Sequence, residues 1–216
     1  MKTYIYFVFQ STFKMKNAEK ELAEIRSLME RSTRFLSLSG LSGIMAGIYA
    51  LVGAALIYYW AESSFTATPH LGDSISSRIS NIIWTGIAVL LLSILTAYFL
   101  SQKNSHRTSS KLWTPAGKRF LSALFLPVTL GALSCLALLH LNYYELIAST
   151  TLLFYGLGLV HASQYTLSDI KYLGFGQAVL GIMAAFFPAF GLAFWAIGFG
   201  ILHILYGTMM YFKYER

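Results

Sequence analysis

Three side chains in this sequence combine hydrogen-bonding chemistry with a place inside long apolar runs: His161, Gln177 and His203. An imidazole binds a proton or a metal, an amide both donates and accepts, and an ionisable side chain within a membrane span is by default a candidate site. At 1.5 Å per helical residue, His203 lies about 15 Å in from Lys213 and Gln177 about 9 Å in from Lys171. All three are therefore expected to converge in the half of the membrane nearest those lysines, with Tyr155, Thr150 and Thr151 on the same span as His161. The plainer reading is that each donates one hydrogen bond across a helix interface, worth under about 2 kcal/mol. Two histidines with neither carboxylate nor thiol are an incomplete zinc site, so no metal and no cofactor is expected.

The sequence has no Gly-Lys-Ser/Thr phosphate loop, no HExxH, no cysteine pair and no carboxylate inside a span. No catalytic residue is expected, and the chain does not read as an enzyme. Proton pumps commonly use intramembrane Asp or Glu, whereas Glu62 and Glu145 fall at a membrane boundary here. The single Cys135 lies in an apolar run and reads as packing.

The elements that must position these side chains are membrane helices. Of the 216 residues, 56% are hydrophobic and 12% charged, about half the charged fraction of a soluble domain. No charge interrupts Leu173–Phe212, which the turn Pro188-Ala189-Phe190 divides into two helices. About 20 residues cross a hydrocarbon core, so spans are predicted over about 36–60, 79–100, 120–141, 146–165, 171–188 and 191–212. The fifth is short and must tilt or borrow from its flanks. Pro127 is expected to kink the third. Thr114-Pro115 reads as an N-cap with Pro in the first turn, and Thr166 with Asp169 as a capping-box variant opening the fifth helix.

Small residues recur on one face of several spans: Gly43 and Gly47 on the first, Gly158 on the fourth, Gly181 on the fifth, Gly200 and Gly207 on the sixth. Lipid tails are as apolar as leucine, so membrane helices associate through close packing and hydrogen bonds, and these stripes permit it. The Gly43–Gly47 GxxxG is expected to pack within the bundle rather than between protomers. Tyr58, Tyr59, Trp60, Trp84, Tyr143, Tyr144 and Tyr211 read as interfacial anchors.

Residues 1–35 form a separate tail ahead of a membrane domain over 36–213. In the tail, Ala18, Leu22, Ile25, Leu28 and Met29 recur at helical spacing against a charged face, which makes residues 17–35 an amphipathic helix with Asn17 as its cap. Met15, just before it, could serve as the start of translation. Such a helix can lie on the bilayer, or dock a cytoplasmic protein or a second copy in a homo-oligomer. The formal charge of +7 does not indicate nucleic acid, because the basic residues gather in segments flanking apolar runs.

Orientation follows from that gathering. Lys and Arg number seven before the first span, one in the next loop, then five, none, one, none, and two at the C-terminus. Alternate segments thus hold fifteen of the sixteen, and the positive-inside rule places both termini in the cytoplasm with six spans between them. The expected architecture is an all-α integral membrane bundle of six transmembrane helices in the inner membrane, with the lipid bilayer as its first partner.

The fourth and sixth spans share a GxGxxH pattern, Gly156 to His161 and Gly198 to His203, 42 residues apart. Duplicated hairpins over spans three–four and five–six would produce this, as would shared Gly-rich composition. Duplication predicts that His161 and His203 sit at equal depth and both face inward. Residues 178–207, with Gly181, the Phe186-Phe187-Pro188 turn, a second apolar helix, Gly200 and Gly207, resemble the hairpin repeat of HdeD-type acid-resistance membrane proteins. The resemblance implies a compact six-helix inner-membrane protein without known catalysis and covers about 30 residues. The sequence alone supports a non-enzymatic structural, stress-related or regulatory membrane protein, with a small transporter or channel subunit, its path near His203, as the alternative.

Overall fold

The computed structural model describes residues 39–66, 75–107 and 114–215. The amphipathic segment 17–35, Met15 and the Pro69 region lie outside them. The described chain is all helical, with α1 over Gly40–Thr66, α2 over Ile75–Arg107, α3 over Pro115–His140, α4 over Ile147–Ala162 and α5 over Ile170–Phe186. The sixth, α6, is composite: Gly191–Trp195 is α-helical, Ala196–Leu202 π-helical, His203–Met210 α-helical and Tyr211–Glu215 π-helical.

Five of these helical segments are long and apolar enough to cross a membrane: Gly40–Ala61, Ile79–Lys103, Pro115–His140, Tyr144–Tyr165 and Pro188–Tyr214. The remaining helix, α5, has 17 residues, or about 26 Å, at the lower limit for a bilayer core.

Local chemistry explains several boundaries. Thr114 Oγ1 accepts from the Gly117 N–H at 3.0 Å with Pro115 in the first turn of α3. The same helix ends in a Schellman motif: Asn142 takes φ +62°, its N–H donates to Leu139 O, and the Tyr143 N–H donates to Leu138 O. Asn tolerates this left-handed conformation better than most residues. The α3–α4 connection can therefore be tight.

In space the helices run α2, α1, α6, then α5 with α4, then α3. Among the described residues the α2 span has none buried and packs chiefly on α1, as suits a plain Leu/Ile-rich helix facing lipid. Two glycine seams hold the rest. Along α1–α6, a Cβ on Gly47 would lie 2.6 Å from Gly200 O, and one on Gly207 2.6 Å from Gly40 O, so the backbones touch. Along α4–α5, a Cβ on Gly156 would lie 2.7 Å from Gly174 O, and one on Gly181 2.8 Å from the Leu153 nitrogen. Gly43 faces Gly207 across the first seam, and Gly158 meets Leu124 of α3. The GxxxG of α1 thus packs on a helix of its own chain.

At one end of the bundle Ala116 and Phe120 of α3, Leu159 and Ala162 of α4, and Ile170 and Leu173 of α5 form an apolar cluster. The start of α1 meets Tyr211 at the end of α6, and Lys213 reaches Asp169 at the start of α5. The first described residues, the α4–α5 connection and the end of α6 therefore share one end of the bundle.

Candidate functional site

The structure brings Gln177 and His203 together and leaves His161 apart. Gln177 of α5 is fully buried and His203 of α6 is 7% exposed. Both point at one carbonyl in the π-helical stretch: Gln177 Nε2 donates to Gly198 O at 2.8 Å, and His203 Nδ1 lies 3.0 Å from the same oxygen. A carbonyl only accepts, so Nδ1 carries the hydrogen. Gln177 Nε2 and His203 Nδ1, 3.3 Å apart, are then two donors converging on one acceptor. Turning the amide over would set Gln177 Oε1 against Gly198 O, two acceptors face to face, so the orientation is fixed.

With Nδ1 protonated, Nε2 of the neutral ring is the acceptor. The Tyr155 hydroxyl of α4, 3.0 Å away, donates to it. Tyr155 thus takes the place in the cluster that the sequence reading gave to His161. The His203 ring also stacks on Phe199 at 5.8 Å and on Tyr155 at 5.5 Å between centroids, and Trp195 continues the stack from Phe199 at 5.1 Å. Trp195, Phe199 and His203 are each four residues apart, one helical stripe whose spacing is visible in the sequence. Two buried oxygens of this region have no hydrogen-bond partner among the described residues, Gln177 Oε1 and the Tyr206 hydroxyl.

His161 is exposed and turns to α3. Its Nδ1 donates to Ala123 O at 3.1 Å. That carbonyl is four residues before Pro127, whose ring removes the N–H that would otherwise bond it. His161 therefore satisfies a backbone group left open by proline. The expectation of equal, inward-facing histidines is not met: His203 bonds at the level of Tyr155, six residues or about 9 Å along α4 from His161, which exceeds one helical turn. The two GxGxxH patterns serve different ends, which removes the shared site inferred from duplication.

Thr150 and Thr151 return hydrogen bonds to their own helix, at Leu146 O and Ala148 O, and join no cluster. Ser149 instead crosses the seam and donates to Gly181 O at 2.8 Å while buried. Asp169 departs from its expected capping role. Its side chain makes no cap bond to α5 and accepts from Lys213 Nζ at 2.7 Å and from the Tyr214 hydroxyl at 3.0 Å. The hydrogen bond from Lys213 holds the Asp169 carboxyl below its ordinary value against some desolvation, and Tyr214 adds to the lowering. A cation at 2.7 Å outweighs a backbone amide as partner for a carboxylate. Among the described residues no group of three or more His, Cys, Asp or Glu is placed to hold a metal ion.

These features define an all-α membrane bundle, joined by glycine seams, with a polar cluster sealed between α4, α5 and α6. No family model, curated protein or solved structure matches the chain.

Proposed function

We propose that this chain is a multi-pass protein of the inner membrane with both termini cytoplasmic, acting in a non-enzymatic, structural or regulatory role. Its bundle is a close-packed platform, and residues 17–35 engage a cytoplasmic partner or a second copy. The supporting observation is how the interior polar groups are used. Gln177, Ser149 and His203 all bond to backbone carbonyls across or within helix contacts, so they tie α4, α5 and α6 together. The positions of Lys118, Arg119, Lys171 and Lys213, all towards the end marked by the Asp169–Lys213 pair, agree with the positive-inside orientation.

The test has two arms. A partner or self-association captured by cross-linking in native membranes is lost when residues 17–35 are deleted, while the bundle still assembles. In proteoliposomes, solute flux that depends on His203 would favour the transporter or channel alternative and overturn this reading. A reporter fused after Arg216 is active only on the cytoplasmic side and one near Pro69 only outside; a cytoplasmic Pro69 overturns the topology.

A further inference from the structure

Five described cations stand at the end of the bundle where Asp169 lies. Lys118 and Arg119 open α3, Lys171 opens α5 and Lys213 closes α6. Lys103 lies near the end of α2, which returns to this level because Tyr49 of α1 meets Thr96 and Gly53 meets Val89, an antiparallel pairing. Among the described side chains the carboxylate at this end is Asp169, and Lys213 holds it at 2.7 Å. At the far end stands Glu145, with no described lysine or arginine side chain beside it.

Helix electrostatics account for two of the five cations. The negative end of a helix dipole favours positive charge, which suits Lys103 and Lys213 near the C-terminal ends of α2 and α6. Lys118, Arg119 and Lys171 instead face the positive ends of α3 and α5, where the same dipole disfavours them. No acidic residue offsets them in either first turn. All three are exposed, and none forms an ion pair among the described residues. Their charge has room for an anion from outside the chain.

The side chains below each cation identify the class of that anion. On α3, Lys118 and Arg119 share a face with Phe125 and Leu126, two turns deeper, and both are more than half exposed. On α5 the Lys171 ammonium lies 5.5 Å from the centre of the Phe175 ring, about one turn into the membrane from its own backbone. Val179 and Ile182 continue that exposed apolar face. A soluble phosphate would leave these strips unused, and an acidic protein segment would have to enter hydrocarbon to reach them. An amphiphile with an anionic head and a hydrocarbon tail meets both parts.

We propose that Lys118, Arg119 and Lys171 bind the headgroups of anionic phospholipids, whose acyl chains lie along α3 and α5. The proposal rests on the membrane reading above and is independent of which side the termini face. A lysine or arginine close to anionic lipid strengthens binding about fivefold. The pair on α3 therefore contributes about twenty-fivefold and Lys171 about fivefold.

The experiment counts lipids held by the full-length protein after release from detergent micelles, by native mass spectrometry, with phosphatidylglycerol or phosphatidylcholine of the same acyl chains added. Phosphatidylglycerol is expected to bind more tightly, with affinity falling about fivefold in K171Q and about twenty-fivefold in K118Q/R119Q, while phosphatidylcholine binding is unchanged. In the parent protein, which needs no variant to fold, raising ammonium acetate from about 50 to about 500 mM should weaken phosphatidylglycerol alone, because salt screens exposed charge. E145Q changes net charge at the far end and should leave both lipids unaffected. An effect of E145Q as large as that of K171Q would show that net charge, not this surface, selects the lipid, and would overturn the proposal. Equal affinity for the two lipids overturns it too, as does release of phosphatidylglycerol by inorganic phosphate at constant ionic strength, which would mark a site for a soluble anion. Retention of neither lipid by folded protein would overturn the membrane reading along with it.

Discussion

Two glycines separate the contribution of close packing from that of helix propensity. Gly207 of α6 faces backbone on every side: a Cβ there would lie 2.6 Å from Gly40 O, 2.6 Å from Ile44 N and 3.0 Å from Gly43 C. Gly86 of α2 has nothing within 4 Å of the same added atom. Alanine in place of glycine in a helix gains about 1 kcal/mol of propensity at either site. At Gly207 the added methyl must push α1 and α6 apart, because no flexible side chain can move aside, and overpacking of this kind costs about 1–3 kcal/mol. Gly207→Ala is therefore expected to destabilise by up to about 2 kcal/mol net, taking the upper end of both ranges, while Gly86→Ala is neutral or stabilising. For a chain of this size each kcal/mol moves the midpoint by about 2–4 °C. Thermal unfolding in detergent micelles, followed by circular dichroism, reads the difference. Gly207→Ala as stable as the parent, or Gly86→Ala equally damaged, would refute the assignment of α1–α6 as a backbone-contact seam.

Three further outcomes are expected. His161→Ala should weaken the bundle by about 0.5–1.5 kcal/mol, but not when Pro127→Ala is already present, since that change restores an N–H for Ala123 O; a double-mutant cycle in micelles with no coupling would reject the pairing. Thr114→Ala removes the cap of α3 and should cost about 1 kcal/mol by the same thermal assay, with Thr114→Ser retaining most of the stability. The Asp169 clasp has the sign of a lowered carboxyl: its contribution is present above the ordinary value of 3.8 and is lost as pH falls through the still lower folded value. Hydrogen exchange of residues 211–215 should therefore rise only on the acid side of about pH 4, and Asp169→Asn should raise it at all pH values.

What could be seen in the sequence depended on whether its cause was local. Spans follow from runs of apolar residues, and the glycine faces follow from helical periodicity, so both could be placed before any tertiary contact was known. The Thr114 cap and the Asn142 turn are likewise settled within four residues. Asp169 shows the limit: its spacing from Thr166 fits a capping box, but the stronger partner, Lys213, is 44 residues away. The same holds for His161. The sequence shows that Pro127 must leave Ala123 O open, but which donor answers it depends on how α3 and α4 pack. Identity of pattern also misled, because GxGxxH places the glycines on a contact face in both helices while the histidine's surroundings differ. The π-helical stretch Ala196–Leu202 has no local signature, since Gly198 O takes its bonds from side chains on two helices.

That stretch explains why the polar cluster forms where it does. The α6 helix must satisfy two neighbours, meeting α1 through Gly200 and Gly207 and meeting α4 and α5 through Gly198. A regular α-helix repeats its face every 3.6 residues, whereas a π turn is wider and rotates the following residues relative to those before it. Residues two apart on a helix face nearly opposite sides, so Gly198 faces Gln177 and Leu152 while Gly200 faces Leu51 of α1. The Gly198 carbonyl also takes donors from side chains, and in hydrocarbon no water can meet it. Gln177 and His203 supply those donors. The polar side chains and the irregular helix are thus two parts of one solution, and replacing Gln177 with leucine would remove the reason for both.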